Sequence, residues 1–254
     1  MWLPVIGIYS FFVHFGGWNA VRRVSFCTRV WGYVITRILN IRIKVTGDYQ
    51  DFKGGLIVSN HMGYLDILVH ASLFPIRFAP KMQIKKWPLL GPYLGISRPI
   101  WIDRSSRQKA KDVAEQFKET MAHGIPLLVY PEGTSTSGED GILEFKSTPF
   151  EAVAEGNFPI LPLITSYERG EDGQTCAWYG DMTLFPHFWK ILSTKTINVE
   201  VHIMPVIIPG NRSRKELAEY VHKLMLDEYN KIKHHSDKTT SQQISSEKGG
   251  IYAS

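Results

Sequence analysis

The sequence predicts an α/β fold: a mostly parallel sheet with helices on both faces, preceded by an N-terminal amphipathic two-helix membrane motif. Three observations predict it. Short apolar runs of the kind that form fully buried strands alternate with segments of helical periodicity. A chain of 254 residues, 44% hydrophobic and 21% charged, is globular in composition and long enough to bury a full core. Ahead of the first buried run, residues 1–45 concentrate apolar and arginine side chains.

The elements follow in order. Met1 to Phe15 are almost all apolar, but Pro4, Gly7 and His14 interrupt them and Gly16-Gly17 end them. That run is shorter than the ~20 residues a spanning helix needs. It also lacks the charged start and small-residue cleavage site of a signal peptide. From Trp18 to Val45, a helical wheel gathers Arg22, Arg23, Arg29 and Arg37 in a basic arc, with Val24, Trp31, Ile35 and Ile38 opposite. A basic amphipathic helix with an aromatic apolar face lies in the headgroup plane of an anionic membrane. Residues 1–45 are therefore expected to form a monotopic anchor.

Residues 46–232 read as one domain. Gly54-Gly55 turns into a buried strand, Leu56 to Ser59. Ser106 to Met121 is helical, with Ala110, Val113, Ala114, Phe117 and Met121 on one face and His123-Gly124 closing it. Ile125 to Tyr130 and Ile160 to Ile164 are further buried strands. Thr196 to Met204 alternates strictly, which marks a strand with one exposed side. Ser213-x-x-Glu216 is a capping box opening a helix with Leu217, Val221, Leu224 and Met225 on one face. Residues 233–254 are polar and are expected to form a tail without structure. The aromatic run from Trp178 to Trp189 is expected to pack in the core, with an acyl-chain tunnel or a membrane-facing lip as the other reading.

Composition also removes function classes. Lys and Arg exceed Asp and Glu by 29 to 24, a net charge of +5, and no finger spacing, RRM motif or long basic run is present, so nucleic acid is not the expected partner. Two cysteines make neither a disulfide framework nor a zinc site, and no metal or prosthetic group is implied. The run Gly133-Thr134-Ser135-Thr136-Ser137 lacks the closing glycine of a serine-hydrolase elbow. No Walker A lysine or GxGxxG precedes a helix.

The remaining chemistry sits at two strand ends. Leu56 to Ser59 delivers Asn60-His61, and Asp66 follows five residues after the histidine. A carboxylate beside a histidine fixes its tautomer and stabilises the imidazolium that forms, which makes a general-base pair. Within one helix the two side chains would point 140° apart, so the pair requires His61 in the loop and Asp66 in the first helical turn. Chance alone gives about 0.35 such pairs per chain, and His222 with Asp227 is a second example, read as solvated surface. What singles out His61 and Asp66 is the other strand end, where Val129-Tyr130 runs into Pro131-Glu132-Gly133-Thr134. Open α/β sheets bind ligands at that carboxyl edge.

Together the two blocks, about 70 residues apart, resemble the glycerolipid acyltransferase family, in particular its 1-acylglycerol-3-phosphate acyltransferase branch. Asn60 to Asp66 is similar to the NHx4D block, and Tyr130 to Thr134 to the F-P-E-G-T block. Ile102-Asp103-Arg104 and Leu161-Pro162-Leu163 resemble two further blocks. The resemblance implies that His61 takes the proton of an acceptor hydroxyl while Asp66 orients it. It also implies that Glu132, Gly133 and Thr134 shape the acceptor site, and that Lys81 and Arg104 meet its phosphate. The donor it implies is acyl carrier protein or acyl-CoA, the acceptor a lysophospholipid. The expected location is the cytoplasmic face of a bacterial inner membrane, at the surface of anionic lipids. One position departs from the pattern: Ser135 stands where many members carry an arginine after the tetrad. That leaves another lysolipid, such as lyso-ornithine lipid, as an alternative acceptor. A membrane-bound scaffold of the same fold without turnover is the alternative of another class.

Overall fold

The structure is a computed structural model and describes residues 16–50, 52–87, 90–103, 105–169 and 175–250. Its first helix, α1 (Gly17–Ile38), is followed by β1 (Ile41–Thr46), β2 (Leu56–Ser59), α2 (Leu65–Leu73) and β3 (Arg77–Phe78). Then come α3 (Leu90–Ile96), α4 (Arg107–Ala122), β4 (Leu127–Val129), α5 (Glu151–Gly156) and β5 (Ile160–Tyr167). The chain closes with α6 (Leu184–Ser193), β6 (Ile197–Ile203) and α7 (Arg214–Gly250).

The strands form one sheet in the order β1-β6-β5-β2-β4-β3. Strands β5, β2, β4 and β3 are mutually parallel, β6 pairs antiparallel to β5, and β1 is parallel to β6. The short parallel strands are buried on both faces, as their unbroken apolar runs require. Side-chain alternation splits the core in two. Ile57, Leu128, Leu161 and Leu163 point to the face covered by α2, with Leu65, Val69 and Phe74. Leu56, Val58, Leu127 and Val129 point to the other, covered by Val113 and Phe117 of α4, Val153 of α5 and Leu217, Val221 and Met225 of α7. Strand β6 alternates buried and half-buried residues along its whole length, as read from the sequence.

Local signals set the ends of the elements. Ser106 caps α4 by accepting from the Lys109 N–H. Ser213 and Glu216 exchange side-chain and main-chain bonds at the start of α7, a working capping box. Pro162 in a central strand lacks an N–H, yet regular pairing with β6 begins only at Leu163, and the Pro162 carbonyl accepts from the Met204 N–H.

Three expectations are corrected. The amphipathic helix stops at Ile38, and residues 41–45 belong to the sheet as part of β1. Asn40 adopts φ 49° and bonds through its side chain to the Lys195 carbonyl and Thr196 hydroxyl, after which β-branched Ile41, Ile43 and Val45 favour a strand. Second, α1 buries small side chains, Ala20, Val24, Ser25, Thr28, Gly32 and Thr36, and exposes Phe26, Val30, Tyr33, Val34 and Ile38 beside its arginines. Val24 therefore belongs to the packed face rather than the apolar lip. Third, the backbone of α7 continues through residues 233–250. That stretch holds no proline, and its glycines wait until 249, so a helix already nucleated propagates along it. The apolar segment 1–15 lies outside the described residues. No helix among the described residues is long and apolar enough to cross a membrane.

α1 crosses α2 at Gly32, where an added Cβ would come within 2.7 Å of the Ser72 nitrogen and 2.8 Å of the Ala71 Cβ. Gly32→Leu is expected to lower the unfolding free energy by about 1–3 kcal/mol through overpacking, read as a lower urea midpoint at unchanged m-value.

Candidate active site

β2 ends between β4 and β5, and the chain leaves the sheet there through Asn60. The buried Asn60 amide bonds to both the N–H and the C=O of Thr165, at 2.8 and 2.9 Å, so it extends the ladder to β5 by one rung. The turn that follows needs glycine. Gly63 has φ 153°, and a Cβ on it would come within 2.9 Å of the Trp178 nitrogen, whose N–H donates to the Met62 carbonyl.

This turn brings His61 and Asp66 together in the arrangement the spacing requires: His61 in the loop, Asp66 in the first turn of α2. Asp66 Oδ2 accepts from His61 Nδ1 at 2.8 Å and from the N–H groups of Met62 and Gly63 at 2.7 and 3.0 Å. Its Oδ1 accepts from the Tyr167 hydroxyl at 2.8 Å. The carboxylate is fully buried, which alone would raise its pKa, but the hydrogen bond and charge of His61 with the other donors hold it below the usual carboxylate value. An ionised Asp66 accepts the hydrogen bond from Nδ1–H, which leaves Nε2 as the unprotonated nitrogen of a side chain 21% exposed.

The second strand end clasps the first. Glu132 Oε1 accepts from the His61 N–H at 2.7 Å, and Thr136 N–H donates to the His61 carbonyl at 2.9 Å, so both main-chain groups of His61 are held by this loop. Glu132 Oε2 accepts from the Leu143 N–H at 2.9 Å. Burial raises the Glu132 carboxyl pKa against these bonds. Gly133 has φ 74°, and the Lys146 side chain lies across it, with Nζ 2.5 Å from where a Cβ would stand.

Behind the pair lies a buried polar chain that no sequence pattern indicated. The Tyr130 ring stacks on His61, centroids 4.1 Å apart and 15° from parallel. Its hydroxyl bonds to His70 Nδ1 at 2.9 Å, and His70 Nε2 bonds to the Thr165 hydroxyl at 2.8 Å. Burial pushes the fully enclosed His70 down to about 4, so it is neutral at physiological pH. Tyr167 and Thr165 stand about a hundred residues from the histidine they support, and only the β2–β5 pairing makes them neighbours.

The other predicted residues are placed as follows. Glu132 joins the two loops through main-chain bonds, Gly133 forms the turn, and Thr134 is exposed on it. Lys81 is exposed on the extended segment after β3, bridged to Ile102, beyond the carboxyl end of a strand parallel to β2. Arg104 lies outside the described residues. His222, expected on the solvated surface, instead bonds to the Ile142 carbonyl at 3.0 Å and packs edge-on against Phe145. The aromatic run does not pack wholly in the core. Trp178 lines the His61 turn and His187 bonds to the Tyr64 hydroxyl at 2.9 Å, but Phe185 and Trp189 are 78% and 71% exposed.

Comparison with known proteins fits this geometry into a class. Residues 42–166 match the Acyltransferase family, and the chain belongs to it. A lyso-ornithine lipid O-acyltransferase of Rhodobacter capsulatus is 30% identical over 193 residues, 73% of this chain and 69% of the relative. The lyso-ornithine lipid O-acyltransferase of Brucella abortus is 27% identical, covering 73% and 74%. A 1-acyl-sn-glycerol-3-phosphate acyltransferase of Neisseria gonorrhoeae is 30% identical over 60% of each chain. The crystal structure of a 1-acyl-sn-glycerophosphate acyltransferase from Thermotoga maritima shares the fold, with a TM-score of 0.61 over 90% of this chain and 89% of that one, at 19% identity.

A His70 held at about 4 has a testable consequence. Between pH 6.5 and 4 the unfolded chain binds a proton at this histidine that the folded chain does not, so stability falls as pH falls through that window. The loss expected is about 3 kcal/mol, from urea midpoints measured between pH 7.5 and 4. His70→Gln should flatten the slope.

Proposed function

We propose that the chain transfers a fatty acyl group from acyl-ACP or acyl-CoA to the free sn-2 hydroxyl of 1-acylglycerol-3-phosphate, giving phosphatidic acid, by general-base catalysis at His61. The observation that carries the reading is the buried, four-donor Asp66, which holds His61 by Nδ1 and leaves Nε2 as a base. His61 Nε2 takes the hydroxyl proton as the oxygen attacks the thioester carbonyl. The carbonyl oxygen gains charge, the C–S bond breaks as it collapses, and the departing thiolate takes the proton back from His61. No acyl-enzyme forms. The N–H groups of His61, Met62 and Gly63 are already taken by Glu132 and Asp66, so the oxyanion is met by other donors.

Lys81, Arg104 and Lys146 are the cations proposed to meet the acceptor phosphate. Among the described residues Lys146 makes no ion pair, and it reaches the Gly133 turn beside Glu132. Two observations favour lyso-ornithine lipid as a second acceptor. Ser135 replaces the arginine that could clamp a phosphate bidentately. The relatives named for lyso-ornithine lipid also match over more of this chain than the Neisseria relative named for the phosphate acceptor. The exposed arginines and large apolar side chains of α1 support a peripheral seat on an anionic membrane, the cytoplasmic face of a bacterial inner membrane being the site proposed.

Purified protein and its His61→Ala variant, offered lysophosphatidic acid and lyso-ornithine lipid side by side with both thioester donors, test the reading. The variant is expected to lose about 10²–10⁴-fold in rate with whichever acceptor is used. No product from either acceptor would point to a scaffold, and a rate unaffected by His61→Ala would remove the base.

A further inference from the structure

Large apolar side chains are exposed on two helices that are far apart in sequence. On α1 they are Phe26, Val30, Tyr33, Val34 and Ile38, on α6 Phe185, Phe188, Trp189 and Leu192. The spacing on α6 is i, i+3, i+4, i+7, one continuous stripe of a helix. Ile191 and His187 on its other side are buried, so the helix is seated on the domain and the stripe is its outward face.

Sheet topology brings the C-terminal ends of the two helices to the same edge of the sheet. β1 and β6 run opposite to β2 and β4, so their first residues stand at the edge where His61 and Glu132 emerge. α1 leads into β1 and α6 into β6, and Asn40 ties the two junctions by bonds to the Lys195 carbonyl and the Thr196 hydroxyl. The other end of α6 reaches the His61 turn through the His187–Tyr64 bond. The charge carried by the two helices has one sign, with Asp181 the one acidic residue just before α6. Neither helix contains an aspartate or glutamate, while α1 exposes Arg22, Arg23, Arg29 and Arg37, and α6 carries Lys190 with Lys195 just beyond it.

We infer that α6 is a second bilayer-contacting element, which sits with α1 in the headgroup region of an anionic phospholipid membrane and brings the His61 edge against the lipid surface. An anionic bilayer matches both features of the surface: apolar side chains enter the acyl boundary while arginine and lysine heads stay among the phosphates. Aromatic residues such as Trp189 favour that interface. A second copy of this chain would set cation against cation. The inference concerns where the protein sits and goes beyond the acyl-transfer reading, which can fail independently of it.

The test is co-sedimentation of the full chain with phosphatidylglycerol/phosphatidylethanolamine vesicles. Wild type is compared with Phe185→Ser/Trp189→Ser on α6 and with Phe26→Ser/Val30→Ser on α1. Both positions changed on α6 are more than two-thirds exposed, so fold is retained and is checked by thermal unfolding. Each double variant is expected to bind at least about tenfold more weakly, the effect of losing two aromatic or aliphatic side chains from the acyl boundary. Replacing the anionic lipid with phosphatidylcholine should weaken all three proteins. An α6 variant that sediments like wild type would overturn the inference. So would unchanged vesicle binding with loss of a concentration-dependent dimer in analytical ultracentrifugation, which would give the stripe to a second copy.

Discussion

The site is organised around one ionised carboxylate removed from water. Taking a carboxylate out of water costs several kcal/mol unless donors replace the solvent, and Asp66 is fully buried with four of them. Two are main-chain N–H groups of the turn that Gly63 permits, one is the histidine, and one comes from the end of β5. Its position in the first turn of α2 adds the favourable end of the helix dipole. The strand ends, the turn and the helix start are thus tied to one charge, and losing any donor would leave that charge undercompensated.

A second carboxylate, delivered by the end of the neighbouring strand β4, behaves differently. Glu132 also gives both oxygens to N–H groups, but burial outweighs these fewer donors and the Asp66 charge adds to it, so its pKa moves up while that of Asp66 moves down. The divergence separates their work: Asp66 acts on the imidazole, while Glu132 braces the main chain of His61. With Tyr130 stacked on the ring and Thr136 on the carbonyl, His61 is fixed by its side chain, its face and both main-chain groups.

Much of this was legible in the sequence because it is local. The buried strands, the Ser213 cap, the alternation of β6 and the His61/Asp66 turn each depend on fewer than ten consecutive residues, and the structure carries each of them. What escaped is what the sheet creates. Tyr167 reaches Asp66, and His70 reaches Thr165, only because β2 lies beside β5. Reading one continuous wheel also ran α1 past its end, although Ile41, Ile43 and Val45 alternate with a strand's period; Asn40 ends the helix and the β6 partner receives the strand. His222 looked like surface until the loop after Gly133 folded over it. The aromatic run divided: some side chains support the turn and others face outward, a distinction spacing does not encode.

α1 and α6 each end at the sheet edge where His61 emerges, which suits the proposed chemistry on a molecule whose acyl chain remains in a bilayer. All of it rests on Asp66 fixing the histidine. The most direct measurement is the ¹⁵N NMR tautomer of His61 in the folded protein at neutral pH. For the neutral form of the ring the account predicts a proton on Nδ1 and none on Nε2, shifting to the opposite or a mixed tautomer in Asp66→Asn. A wild-type ring with its proton on Nε2 would contradict it, since no lone pair would then face the acceptor hydroxyl.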